Sequence, residues 1–190
     1  MAYSIQNIKS QLVGGGARAC LFKVTFNYPE ALGAASGEKL QFMCKASQIP
    51  ASSVTKLTVD YMGRKVKVAG TREEFADWTV TVINDEDFLV RNDLEKWLNY
   101  MNGHVDNQQL VSPNDYKTTG TVTQLSKDGS KLREYYFNGI FPTELAQIDL
   151  SWETDEIQDF EVTFSVDWWE VAGKTSNISF PKGNNGSGNA

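Results

Sequence analysis

Asp77-Trp78-Thr79-Val80-Thr81-Val82-Ile83 runs directly into Asn84-Asp85-Glu86-Asp87 and then into Phe88-Leu89-Val90-Arg91-Asn92-Asp93-Leu94-Glu95-Lys96-Trp97-Leu98-Asn99-Tyr100-Met101-Asn102. The first part alternates with period two, so Trp78, Val80 and Val82 share one side of a half-buried strand. The last part has a different period: Val90, Leu94, Trp97, Leu98 and Met101 recur at helical spacing, with Arg91, Asp93, Glu95, Lys96 and Asn99 elsewhere. Four polar, mostly acidic residues separate the two, which suits a helix start as cap and as complement to the positive end of the helix dipole. One helix over 88–102, stopped by Gly103, is therefore expected beside a sheet.

The flanking sequence is β-rich. Cys20, Phe22, Val24 and Phe26 alternate with polar positions, as do Leu40, Phe42, Cys44 and Ala46. Residues 54–69 read as a hairpin, with Leu57, Val59 and Tyr61 on one face, a turn at Met62-Gly63, and Lys65-Val66-Lys67-Val68 returning. Further strands are expected at 119–125, 133–141 and 143–152, the first two joined through Lys127-Asp128-Gly129-Ser130. In the final strand Phe160, Val162, Phe164, Val166 and Trp168 face one way, and Asp159, Glu161, Thr163, Ser165 and Asp167 the other. The expected fold is mainly β: an antiparallel β-sandwich or barrel with one packed α-helix. A β domain over 1–173 is followed by a Gly/Asn/Ser-rich tail over 174–190, with too little apolar surface to offset chain entropy in an isolated subunit.

With 190 residues, one core of ordinary size suffices, and no apolar run approaches the ~20 residues needed to cross a bilayer. No secretory signal is visible at the start, so synthesis in the cytoplasm is expected. Cys20 and Cys44 lie in apolar runs and are expected to behave as small buried hydrophobes rather than as a disulfide. His104 is the one histidine, so neither a zinc site nor a Ser/His or Cys/His nucleophile has a supporting pattern, and no cofactor or metal is expected. Gly14-Gly15-Gly16 precedes Ala17-Arg18-Ala19 and a strand, without the Gly-Lys-Ser/Thr of a phosphate loop; it reads as a flexible N-terminal arm. Asn84-Asp85-Glu86-Asp87 lacks the spacing of a calcium loop. An enzyme is not expected.

The net charge of −6 is unevenly placed. From Glu134 to Gly173 there is no Lys or Arg and there are ten carboxylates, so this block carries −10 and the remainder +4. Nucleic-acid affinity is driven by clustered cations that release condensed counterions. The late strands cannot bind DNA that way.

The stretch from Gly63-Arg64-Lys65-Val66-Lys67-Val68-Ala69-Gly70-Thr71-Arg72, through Asp77 to Asn92, to Glu95-Lys96-Trp97-Leu98-Asn99 resembles the tail tube proteins of T4-type contractile-tailed bacteriophages. The resemblance extends less sharply over residues 1–170 and does not include the Gly/Asn/Ser tail. It implies a structural virion subunit in homohexameric rings, whose strands join a ring-wide inner barrel. The rings stack into a tube inside a contractile sheath, with baseplate and tail terminator proteins as further partners and DNA passing through. The acidic strand then becomes a lumen wall, with Asp159, Glu161 and Asp167, and Glu144 and Asp149 on the neighbouring strand, lining the channel. The hairpin around Gly63, Arg64, Lys65 and Lys67, with the N-terminal arm, is the candidate for ring-to-ring contact; the alternative is an ordinary solvated hairpin. Two other functions fit the residues: a tube of a related injection machine with protein cargo, or a monomeric ligand-binding β-sandwich using Trp168-Trp169.

Overall fold

A computed structural model describes residues 5–109, 111–153 and 155–172 of the chain. The glycine- and asparagine-rich tail from 174 onward lies outside the described residues. In chain order the elements are α1 (Ile5–Gln11), β1 (Phe22–Phe26), α2 (Gly37–Met43), β2 (Cys44–Ser47), β3 (Val54–Tyr61), β4 (Arg64–Arg72), β5 (Trp78–Ile83), α3 (Leu89–Met101), α4 (Pro113–Tyr116), β6 (Thr118–Leu125), β7 (Lys131–Leu145), β8 (Asp159–Ser165) and β9 (Trp168–Val171). Among the described residues seven strands form one antiparallel sheet in the order β1-β6-β7-β8-β5-β2, with β9 also on β7, while β3 and β4 pair only with each other.

The long strand β7 is shared by two half-sheets. Its first part pairs with β6 on one edge and β9 on the other, and its last part, from Phe141 to Leu145, pairs with β8. Between them Gly139 takes φ 66°, and a Cβ there would lie 2.0 Å from the Asp167 carboxylate, so the bend requires glycine. The partner strand bends opposite it, at Val166 and Asp167, where β8 gives way to β9. Folding the sheet on this line brings Trp78 of β5 onto Phe137 of β7, rings stacked at 4.6 Å and 5°. Phe26, Trp97 and Phe164 complete an aromatic centre around that pair. Gly120 makes the closeness possible, since a Cβ there would stand 2.9 Å from both Trp78 and Ile140.

Helix α3 covers this core with Val90, Leu94 and Trp97, all buried, and the Trp97 Nε1–H donates to the Tyr116 carbonyl at 3.1 Å. Its start differs in detail from the expected polar cap. Phe88 holds the N-cap position at φ 52°, and it is the Asp87 carboxylate that accepts from the Leu89 N–H at 3.0 Å. Lys39 bridges Asp85 and Asp87 and, with the Leu89 N–H, holds the Asp87 carboxyl down at about 2. Asp93, expected on the outer helix face, is buried instead, accepting from the Ser36 N–H at 3.2 Å and pairing with Lys96.

Four other sequence expectations are corrected. Residues 40–43 belong to helix α2, not to a strand: Leu40 is fully buried, but Phe42 is 77% exposed, because Leu40 and Met43 pack inward at helical spacing. A short apolar run is where the two periods are hardest to separate. The strand expected over 143–152 ends at Leu145, after which the ladder to β8 closes with the Ala146 N–H on the Glu161 carbonyl, and residues 146–153 and 155–158 are in no helix or strand. The N-terminal arm contains the short helix α1, ended by glycines at positive φ. Cys20 is exposed, lying in a turn before β1, whereas Cys44 is partly buried and burial pushes its thiol up to about 11.

Candidate functional site

Two surfaces carry the residues singled out from the sequence. The first is the outer face of the half-sheet β7-β8-β5-β2. Its inner face supplies Trp78, Val80, Val82, Phe160, Val162 and Phe164 to the core, so the pleat turns Thr79, Thr81, Ile83, Asp159, Glu161, Thr163 and Ser165 outward. At the β7 end a register shift between Pro142 and Glu144 places the extra residue Thr143 in the strand and sets Glu144 opposite Thr163. Glu144, Asp159 and Glu161 are thus together on one polar face. On β2 Lys45 forms an ion pair with Asp159, whereas Glu144 and Glu161 are exposed with no ion pair among the described residues.

Asp149 and Asp167 are not on that strand face. Asp149 stands in the 146–158 loop, where its carboxylate accepts from the Gln147 side-chain amide at 3.4 Å. Asp167 follows the end of β8, and both its oxygens accept from Lys117 Nζ at 2.8 Å. The two mark opposite ends of the half-sheet, because β8 begins beside Ile83 and ends beside Trp78.

The second surface is the β3-β4 hairpin. Met62 and Gly63, at φ 45° and 77°, form the two-residue turn with both torsions positive that matches strand twist. The register pairs Leu57 with Val68, Val59 with Val66 and Tyr61 with Arg64, so these six share one face; Thr58 with Lys67 and Asp60 with Lys65 share the other. Both faces meet solvent: Leu57 is 58% exposed and Val66 50%, and no other strand pairs with the hairpin among the described residues. At about 3.3 Å per residue it reaches roughly 26 Å from its base. The base is anchored by Arg72 on Ser52 and by Phe75 against Trp169. Sequence pattern found this hairpin; that it stands apart from the main sheet had no signal in its alternation.

The apolar stripe of a lone amphipathic hairpin has to be covered by something, and the main sheet ends in the edge strands β1 and β2, which take no further strand among the described residues. The family model of phage tail tube proteins matches residues 17–172. The chain belongs to the phage tail tube protein family. Among its relatives is the tail tube protein gp19 of Enterobacteria phage T4, 37% identical over 159 residues that span 83% of this chain and 93% of that protein. The tail tube protein of Serratia phage KSP90 is 25% identical over 140 residues, covering 72% and 77% of the two chains. Among solved structures, a chain of the sheath-tube complex of an extracellular contractile injection system matches with TM-score 0.56 at 16% identity, over 90% of this chain and 98% of that one. A chain from the baseplate of the anti-feeding prophage matches with TM-score 0.62 at 9% identity, over 83% and 95%. At such identities the likeness is one of fold. As a tail tube protein, the chain is a structural component of the phage virion tail.

Proposed function

We propose that this tail tube subunit assembles into hexameric rings that stack inside a contractile sheath, and that the half-sheet β7-β8-β5-β2 of each copy contributes to a continuous barrel whose lumen carries DNA. The supporting observation is a sheet face that is polar, uncovered and acidic at Glu144 and Glu161, in a half-sheet that ends in β2, an edge strand with one side unpaired among the described residues. Heterologous contact between edges closes a ring and removes them. Six copies of four strands, at about 4.8 Å per strand, give a backbone diameter of about 37 Å even without strand tilt. Duplex DNA carries one negative charge per ~1.7 Å of axis, and repulsion acts over about 8 Å at physiological salt, so a wall bearing carboxylates keeps the duplex from adhering.

In this arrangement Glu144, Asp159 and Glu161 line the wall, with the Asp159 charge offset by Lys45, while Asp149 and Asp167 lie at its two rims. Gly63, Arg64, Lys65 and Lys67 form the tip of the hairpin that reaches the next ring, and the baseplate and the terminator contact the ends of the stack. The role is passive, with no catalysis and no cofactor. Negative-stain microscopy of concentrated protein tests assembly: rings or tubes with a central hole are expected, and compact monomers at every concentration would refute the ring. Virions assembled with Glu144→Lys and Glu161→Lys together test the wall: tubes of normal appearance with slowed DNA release are expected, and release at the wild-type rate would remove the lumen assignment.

A further inference from the structure

The loop over 146–158 is unusual for a surface loop. Leu150 and Ile157 are about four-fifths exposed and Trp152 fully exposed, among the exposed carboxylates Asp149, Glu153, Asp155 and Glu156. The loop has four acids and no base, so it carries −4. The β3-β4 hairpin is its complement: an exposed apolar stripe of Leu57, Val59, Tyr61, Val66 and Val68, with Lys56, Arg64, Lys65, Lys67 and Arg72 against Asp60 alone, a net +4.

The two start from opposite ends of the half-sheet, which suits contact between copies. The hairpin is inserted between Ser47 of β2 and Trp78 of β5, at the end of the half-sheet where Trp78 pairs with Phe164. The loop joins Leu145 of β7 to Asp159 of β8, at the end where Asp159 pairs with Ile83. Six residues of β5 separate these ends by about 17 Å. A projection at one end and a complementary surface at the other is the geometry of a head-to-tail contact, which propagates along an axis.

We infer that the acidic segment between β7 and β8, over 146–153 and 155–158, is the receptor for the hairpin of the adjacent ring: the apolar stripe covers Leu150, Trp152 and Ile157, Arg64 on that same face meets the loop carboxylates, and Lys65 and Lys67 on the opposite face add positive potential within a Debye length. Trp152 is the anchor, as a fully exposed aromatic side chain at the centre of the acidic segment. This rests on the stacked-ring reading above and adds the partner surface to it.

Charge exchange tests the pairing. Arg64→Glu/Lys65→Glu/Lys67→Glu turns the hairpin to −2, and Glu153→Lys/Asp155→Lys/Glu156→Lys turns the loop to +2. Either triple variant alone is expected to make rings but to lower pelletable tubes at least about tenfold, since opposed like charges are strongly unfavourable at an interface. One chain with both triples, or an equimolar mixture of the two variants, is expected to restore tubes to within about threefold of wild type, as complementary charge is restored. Trp152→Ala, with net charge unchanged, is expected to shorten tubes. No rescue by the combined chain, while wild type makes tubes, would overturn the pairing and leave the tube itself standing. Normal tubes from the loop triple with loss only of sheath binding would overturn it too, giving the loop to the sheath. Failure of wild type to form rings would remove the tube reading, and this inference with it.

Discussion

Replacing Val59 and Val66 by serine removes the central cross-strand pair of the hairpin's apolar face. Both valines are close to half exposed, at 53% and 50%, and belong to no part of the core. Fully burying a valine side chain is worth about 1.5–3 kcal/mol, so each has about 1 kcal/mol still to gain on docking, or about 2 kcal/mol per hairpin. A contact weakened by that much loses roughly thirtyfold in equilibrium constant, and in the proposed hexameric ring six such contacts would raise the deficit to about 12 kcal/mol. The isolated subunit, in contrast, should change by no more than about 0.5 kcal/mol, a shift in melting temperature of about 1–2 °C. Sedimentation of assembled tubes across a concentration series, with thermal unfolding of the dilute subunit as control, separates the two effects. The expected result is a melting temperature within about 2 °C of wild type and no tubes at concentrations where wild type polymerises fully. Tubes forming at the wild-type critical concentration would refute burial of this stripe during stacking.

Gly120→Val should destabilise the subunit by about 1–3 kcal/mol, because its side chain enters space held by Trp78 and Ile140; an unchanged urea midpoint would contradict the packing at the sheet fold. Alkylation at pH 8 should modify exposed Cys20 quickly and Cys44 slowly, since a thiol raised to about 11 is thiolate in only about one molecule per thousand; equal rates by mass spectrometry would contradict the burial of Cys44. Asp87 is lowered from 3.8 to about 2, so its carboxylate stabilises the fold above pH ~4, and that contribution is lost as pH falls through ~2. Asp87→Asn should therefore unfold more readily than wild type at pH 5 and equally readily below pH 2. Acid titrations that differ by the same amount at both ends would contradict the Lys39 bridge as the cause.

The strands β5 and β8 and helix α3 were legible because each has one face against the core and one in water, which prints a period on the sequence; the hairpin carries the same alternation although both its faces meet solvent. Leu40 to Ala46 also alternates, yet Leu40 and Met43 enter the core from a helix while Phe42 stays exposed, a spacing that so short a run does not disclose. Residues 146–152 alternate as well, and there the missing ingredient is a neighbouring strand: β7 runs out of partner at Leu145. For the acidic face, Glu144, Asp159 and Glu161 follow from alternation and one bulge, but Asp167 does not, because the bend at Gly139 hands the chain from one half-sheet to the other. Lys45 as the counter-charge of Asp159 comes from β2, over a hundred residues away in sequence, a pairing that no local pattern encodes.

The hairpin leaves the half-sheet at the Trp78 end only. In the proposed stack, a column of subunits joined through it would therefore be polar, like a row of arrows: one terminus would display outstretched hairpins and the other the sites that accept them. Growth and closure then need different chemistry at the two extremities, so whatever starts the column at one cannot be what halts it at the other.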